Sequence, residues 1–112
     1  MLRTDLWAAA FVRRHNDLGH FCVVSRRGDP IAGQVFIEHD HLNGTSSLYV
    51  PAPAAARLND NGEDRVFQLR YDRVEPAKVA ERVAREADFD PDLWVIAIEL
   101  RAGDLGILVV KP

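Results

Sequence analysis

The sequence has almost no cysteine, and this scarcity limits both its chemistry and its compartment. The only cysteine among 112 residues is Cys22, so no disulfide can form within one chain. A cysteine-poor chain fits a reducing compartment, and we expect a cytoplasmic protein. Cys22 lies in the apolar run FCVV, where a thiol is expected to pack as a small buried hydrophobe rather than act as a nucleophile.

The chain also lacks an excess of basic charge and a long apolar run. Its formal net charge is −3 at pH 7, which argues against a surface built to hold nucleic acid or anionic lipid. No segment approaches the roughly 18 apolar residues of a membrane span. We therefore expect no membrane contact, and nucleic acid is disfavoured as a partner. The length of 112 residues is that of one domain, so we expect a single domain over residues 1–112.

Recognisable catalytic motifs are absent as well. The sequence contains no Ser-His-Asp signature, no phosphate-binding glycine loop and no dinucleotide fingerprint. It therefore predicts no cofactor, and its enzymatic character stays open, with a non-enzymatic role favoured.

Two segments have the pattern of helices. The first is expected to begin with Thr4 as its N-cap and to end at Gly19, because such residues are favoured at these termini. Its predicted apolar stripe consists of Leu6, Trp7, Ala10, Phe11 and Leu18. The second helix is expected to begin with Pro76 at its first position, and its stripe consists of Val79, Ala80, Val83, Ala84 and Ala87.

The remaining regular segments have the pattern of strands. HFCVVSRR is nearly continuous in apolar residues, which predicts a strand buried on both faces. RVFQLRYD is expected to place Phe67, Leu69 and Tyr71 on one face. The fold class is α+β, with mixed α/β as the alternative. Two helices pack on a largely antiparallel sheet in the order α-β-β-β-β-α-β, and GILVV forms either a final short strand or a docked tail.

The dipeptide Asn43-Gly44 predicts a hairpin with a two-residue type I′ turn. That turn would place His39 opposite Leu48 and Ile37 opposite Val50, with the helices packed on the face that these residues share. The long connection over residues 51–64 is either a functional flap or slack chain.

The turn in VSRRGDPIAG, residues 24–33, holds the first candidate site. Helix and strand lengths return Arg26 and Arg27 to the start of the first helix, away from the arginines at its other end. Arg26 or Arg27 is expected to pair with Asp5 or Asp29. The alternative is an anion site in which Arg26, Arg27 and Asp29 contact a ligand beside the Gly28 backbone.

EHDH, residues 38–41, is the most metal-like cluster. His39 and His41 lie two positions apart on a strand and therefore point to one face. Zinc needs three or four ligands, and no third is identifiable by sequence spacing, although folding could bring His20 or His15 there. We expect solvated histidines and no metal site.

A metal-dependent nuclease is a further alternative. The order αβββαβ is also the core of the restriction-endonuclease-like fold, in which Asp29 and Glu38 would hold metal. The position of the lysine that such sites use is taken by Asp40, which cannot supply an ammonium group.

Four segments together resemble a known family: LWAAAFVRR, RRGDPIAGQV, LNGTSSLY and FDPDLWVIAIE. In combination they are similar to the DUF1491 family, a small uncharacterised alphaproteobacterial family, over nearly the whole chain. The resemblance implies a bacterial origin and a single domain, and it supplies no activity. EHDH is not part of the shared pattern.

The sequence favours a small non-enzymatic cytoplasmic domain that acts through an unknown protein partner or through self-association. This interpretation depends on the missing catalytic motifs, on two tryptophans and on expected exposed strand edges. The alternative is a ligand-binding, anion-binding or metal-dependent enzyme that uses the Arg26–Asp29 turn with Glu38 or Asp40.

Overall fold

Two helices and six strands form the fold, in a computed structural model that describes residues 2–53 and 65–110. Most of the long connection predicted over residues 51–64 lies outside these ranges. The elements in chain order are α1 (Thr4–Asp17), β1 (Phe21–Arg26), β2 (Val35–Asp40), β3 (Ser46–Pro51), β4 (Val66–Val74), α2 (Pro76–Phe89), β5 (Trp94–Glu99) and β6 (Leu108–Val110).

The strands form one sheet in the order β1-β5-β2-β3-β4-β6. Three neighbouring pairs are antiparallel, namely β1 with β5, β2 with β3 and β3 with β4, while β2 with β5 and β4 with β6 are parallel. The α+β fold on a largely antiparallel sheet is thus confirmed. The α2 crossover makes β5 parallel to β4, as expected, but inserts it between β1 and β2 rather than beside β4.

One helix covers each face of the sheet. Alternate residues of β2 and β5 divide between two hydrophobic clusters, so that Ile37 and Ile96 lie under α1 while Phe36 and Val95 lie under α2. We call these the α1 face and the α2 face. Neither helix has the length and apolar character that a membrane crossing needs.

Strand β1 lies at an edge of the sheet, so the prediction that it is buried on both faces is wrong. Cys22 is buried under α1, as expected, but Phe21, Val23 and Val24 are exposed. An apolar run indicates only that a strand can be buried. The position of the strand in the sheet decides whether other elements cover its two faces.

The register predicted for the β2–β3 hairpin is wrong by one residue. Ile37 pairs with Tyr49 and His39 with Ser47. A one-residue shift moves every side chain of β3 to the opposite face. Leu48 consequently packs under α2, and the helices cover both faces of the hairpin rather than one.

A longer turn causes this shift. His41 N–H donates to Thr45 O over 3.1 Å, which leaves three residues rather than two at the tip of the hairpin. Leu42 adopts a φ of 61° and Gly44 a φ of 89°. The side chain of Asp40 accepts from Leu42 N–H over 2.8 Å and thereby holds this strained conformation in place.

Irregular pairing in β4 separates residues that were predicted to share a face. Phe67 packs under α1, but Tyr71 packs under α2, because the register with β3 shifts between Leu48 and Tyr49. A bulge of this kind inserts an extra residue and reverses the alternation of side chains beyond it.

Helix α1 begins at Thr4, which is therefore not its N-cap. The Thr4 hydroxyl donates to Gly33 O over 2.9 Å, and the first amides of the helix donate to carbonyls of the 29–33 turn. The buried stripe of the helix is Thr4, Ala8, Phe11 and His15. Two polar residues are buried there because each finds a hydrogen-bond partner. Of the predicted apolar set, Phe11 is buried and Trp7 packs against the core, whereas Leu6, Ala10 and Leu18 are exposed.

Residues 28–33 pack directly against the start of β5. Asp29 N–H donates to Asp92 O over 3.0 Å, and the Trp94 indole donates to Asp29 O over 2.7 Å. A β-carbon on Gly28 would overlap the Asp92 carbonyl, so only glycine permits this approach.

We expect Gly28→Ala to lower the free energy of unfolding by about 3 kcal/mol, because the new methyl group must displace backbone. Urea denaturation monitored by circular dichroism measures the loss. Gly19→Ala is the control, since Gly19 has a φ of 88° with open space around it and should cost only about 1 kcal/mol of backbone strain. Equal losses in the two variants would contradict the steric explanation.

Candidate functional site

The candidate residues Arg26, Arg27 and Asp29 lie beside the start of α1, at the end of the sheet that the sequence indicates. Asp29 Oδ2 accepts from Ile31 N–H at 3.1 Å and from Ala32 N–H at 2.7 Å, so this carboxylate holds the turn. The Arg27 guanidinium stacks over the Trp94 ring at 4.8 Å. These contacts give the turn a structural role.

The expected pairing of these arginines with Asp5 or Asp29 is wrong. Within residues 2–53 and 65–110, Asp5 forms its ion pair with Arg3 at 2.9 Å, and the Arg3 side-chain bond lowers the Asp5 pKa. Arg26 Nη2 donates to Pro91 O over 3.3 Å, while its buried Nε has no hydrogen-bond partner among the described residues. Anion binding by Arg26 and Arg27 stays a prediction.

Glu38 and Asp40 lie on the α2 face, away from the turn. They line a cleft of about 280 Å³ together with Phe21, Glu99 and the first turn of α2, and neither Arg27 nor Asp29 borders it. Burial raises the pKa of Glu38 above its ordinary value. The alternative that combines the arginine turn with these acids in one pocket is therefore wrong.

His39 and His41 share one face, as predicted, but both are buried rather than solvated. Their ring centroids are 3.9 Å apart, and they border a cavity of about 240 Å³ on the α1 face that we call the histidine cavity. His39 Nε2 lies 2.8 Å from Leu100 O. Because a carbonyl only accepts, this nitrogen carries the hydrogen, and Nδ1 of the neutral ring keeps its lone pair.

A buried serine connects His41 to the irregular end of β4. Ser47 Oγ lies 2.8 Å from His41 Nε2 and accepts from Arg73 N–H over 3.0 Å. Arg73 has a φ of 49°, which is strained for a residue with a β-carbon. The pairing of β3 with β4 shifts a second time between Ser46 and Leu48, opposite Arg73, which forms a second bulge. Ser47 is only 1% exposed and does not border the cavity, so it holds this bulge rather than offering a nucleophile.

The walls of the histidine cavity combine polar and apolar groups. Asp72 and Arg73 form an ion pair at 2.8 Å on one side, and Asp104 lies on another. Burial is the main cause of a raised Tyr49 pKa, with a further contribution from the Asp72 charge. Among the described residues, no group of three or more His, Cys, Asp or Glu side chains has the geometry to hold a metal ion.

A second histidine pair joins α1 to the segment between β5 and β6. His15 Nε2 lies 2.7 Å from Leu105 O, and His15 Nδ1 lies 2.9 Å from His20 Nδ1. Since Leu105 O only accepts, neutral His15 accepts at Nδ1 the hydrogen that His20 donates. Burial lowers the His15 pKa, because the charged form of the ring would lose its hydration, and the charges of Arg14 and His20 lower it further.

The sequence indicated two residues of the histidine cavity, His39 and His41, but predicted that both would be solvated. The i, i+2 spacing of His39 and His41 was the available signal. Asp72 and Asp104 come from distant segments that no motif connects, and a β-bulge at Arg73 has no reliable sequence signature.

Comparisons with known proteins identify relatives that match nearly the whole chain. The family described as "Protein of unknown function (DUF1491)" matches residues 2–107. No curated protein matches the chain.

Solved structures from two alphaproteobacteria are similar. The crystal structure of a DUF1491 family protein from Caulobacter crescentus CB15 is 31% identical with a TM-score of 0.80, covering 98% of this chain and 100% of that one. The solution structure of protein Atu0922 from A. tumefaciens is 31% identical with a TM-score of 0.83, covering 99% of this chain and 96% of that one.

We expect acidification to destabilise the protein through His15. Its folded-state pKa lies below the ordinary value of 6.5, so its contribution to stability is complete above 6.5 and is lost as pH falls from there through the folded-state pKa. The slope for one such group approaches about 1.4 kcal/mol per pH unit.

The test is His15→Gln, because an amide donates and accepts without titrating. Unfolding free energies measured from about pH 8 to about pH 5.5 should fall less steeply in the variant. Subtracting one curve from the other cancels the contributions of titrating groups that both proteins share. These include buried His41, whose pKa is also lowered. They also include Glu38, whose raised pKa makes stability fall as pH rises above the ordinary pKa of a glutamate. Parallel curves would show that His15 does not supply the slope.

Proposed function

Because the chain belongs to the DUF1491 family, whose description assigns no activity, we propose its function from its surface. The protein is a non-enzymatic cytoplasmic domain that self-associates by pairing the β1 edges of two copies. One observation carries this proposal: an edge strand of the sheet is apolar and exposed.

Strand β1 offers both backbone and side chains to a partner. Phe21 is 58% exposed, and Val23 and Val24 are each 37% exposed, so apolar surface extends over both faces of the edge. Proteins usually protect such edges with charge, proline or a covering segment. Residues 21–24 contain neither charge nor proline, which supports their use in strand pairing.

A second copy of β1 fits this edge because the edge is complementary to itself. A two-fold axis near Val23 would pair the strands in antiparallel orientation and extend the sheet across both chains. Each copy would bring apolar side chains to the exposed apolar surface of the other on both faces. This geometry covers the β1 edge of both copies and closes as a dimer.

The charges at the two ends of β1 support the antiparallel orientation. Glu99 is exposed and pairs with Phe21 at one end, while Arg26 pairs with Val95 at the other. Val95 and Glu99 lie on the same face of β5, so both charges lie on the α2 face. Antiparallel pairing brings the Arg26 end of each copy to the Glu99 end of its partner, where opposite charges attract.

Side chains of the types that enzymes use for catalysis have structural roles in this fold, which supports a non-enzymatic domain. Asp29 holds a turn, and Ser47 holds a bulge. Burial raises the pKa of the Cys22 thiol to about 11, so this cysteine is a packed side chain rather than a nucleophile.

We expect the wild-type chain to form a dimer and Val23→Lys to be a monomer, because a lysine at the centre of the edge would bury charge in the pairing. Sedimentation equilibrium gives both masses. Val109→Lys is the matched control, since Val109 is 45% exposed on β6 at the opposite edge. A monomeric wild type, or loss of the dimer in the control alone, would refute the proposal.

A charge exchange tests the orientation separately. Glu99→Arg and Arg26→Glu should each weaken the dimer about tenfold, and the double variant should recover most of the loss. Circular dichroism establishes that each variant folds. A double variant no better than the weaker single variant would exclude the antiparallel arrangement.

A further inference from the structure

The cleft on the α2 face, which we call the α2 cleft, lies where α2 leaves the sheet uncovered. On this face of β5, Ala97 stands between Val95 and Glu99, and its small side chain leaves the floor of the cleft low. The volume of about 280 Å³ is below the roughly 300 Å³ at which small-molecule pockets begin, so it suits one long side chain. Apolar groups from β1, β5 and the first turn of α2 line it: Phe21, Ala97, Pro76, Val79 and Ala80.

Three carboxylates border this apolar cleft, and no cationic side chain does. Glu38, Asp40 and Glu99 line it, and the register pairs Asp40 with Glu99 across β2 and β5. Glu38 precedes Asp40 by two residues and points to the same face, about 7 Å along the strand. In the described part of the chain Glu38 forms neither a hydrogen bond nor an ion pair, while Asp40 accepts from Leu42 N–H.

Neighbouring positive charges do not cancel these carboxylates. Lys78 lies over an aromatic ring outside the cleft, at 5.1 Å. Arg101 borders an outer groove together with Glu99, so we assign the charge of the cleft to Glu38 and Asp40 alone. The N-terminus of α2 carries a partial positive charge of about half an elementary charge, which leaves the cleft negative. The cleft therefore complements a cation that has an apolar stem.

We propose that the α2 cleft binds an arginine side chain from a basic segment of a partner protein. The hydrocarbon stem would lie along Phe21 and Val79, and the guanidinium would donate to Glu38 and Asp40. A planar guanidinium with five N–H donors can bridge two carboxylates, whereas a lysine ammonium is compact and more strongly hydrated. The proposal does not depend on pairing through β1, because both acids lie on β2, which β5 separates from that edge.

The probes are three capped tripeptides that differ only in the central residue: acetyl-Gly-Arg-Gly-amide and its lysine and citrulline counterparts. Binding to the wild-type protein is followed at about pH 7.5 through the NMR signals of the Ala80 and Ala97 methyl groups. The arginine peptide should shift both signals and bind about tenfold more tightly than the citrulline peptide, which has the same shape without the charge. Binding of the lysine peptide should be several-fold weaker than that of the arginine peptide. Absence of shifts, or equal binding of either counterpart, would overturn the proposal.

Two glutamate variants place the charge. Glu38→Gln keeps the shape of the side chain and should weaken binding of the arginine peptide about tenfold. Glu81→Gln is the matched control, because Glu81 is exposed on α2 outside the cleft and its removal should change binding less than about twofold. Circular dichroism establishes that both variants fold. Equal losses in the two variants would show that binding follows overall charge rather than this cleft.

The titration of Glu38 gives a readout that needs no variant. Burial raises the pKa of Glu38, and a guanidinium beside it would favour the charged form. The saturating arginine peptide should therefore lower the pKa measured from the carboxyl carbon signal of Glu38, and the citrulline peptide should leave it unchanged. An unchanged pKa with the arginine peptide bound would place the guanidinium away from Glu38 and refute the assignment.

Discussion

The fold depends on the close packing of the 28–33 turn against the backbone that precedes and begins β5. There the chain joins three elements: Asp29 N–H donates to Asp92 O, the Trp94 indole donates to Asp29 O, and the turn carbonyls receive the first amides of α1. Gly28 permits the contact because it has no β-carbon. Once this contact forms, β5 is aligned between β1 and β2, and α1 is directed across the sheet.

The same contact explains why the arginine turn is a structural element. The carboxylate of Asp29 is bonded to the turn's own amides, and the helix amides beside it are bonded to carbonyls. The first helix amides, which could have bound an anion, therefore stabilise the backbone of the turn, while anion binding by Arg26 and Arg27 stays a prediction. The cavities lie elsewhere, where β4 departs from regular pairing and where α2 leaves part of the sheet uncovered.

Histidines connect the segment after β5 to the rest of the molecule. His39 donates to Leu100 O and His15 to Leu105 O, so two buried rings fix this segment from opposite ends. The segment in turn supplies Asp104 to the wall of the histidine cavity. A carbonyl acceptor fixes the position of hydrogen on both rings. Nδ1 of His15 is left to accept from His20, and Nδ1 of His39 has no donor within the described part of the chain.

The sequence alone determined the features that depend on neighbours along the chain. The two helices, the stop at Gly19, the start at Pro76, the strand segments and the burial of Cys22 all follow from periodicity and local backbone preference. Only the tertiary structure decided that β1 is an edge, that Tyr71 turns to the α2 face and that His39 shares a cavity with Asp104. Strand order, bulges and cavities arise from contacts between distant segments, and their energies depend on packing that no local pattern records.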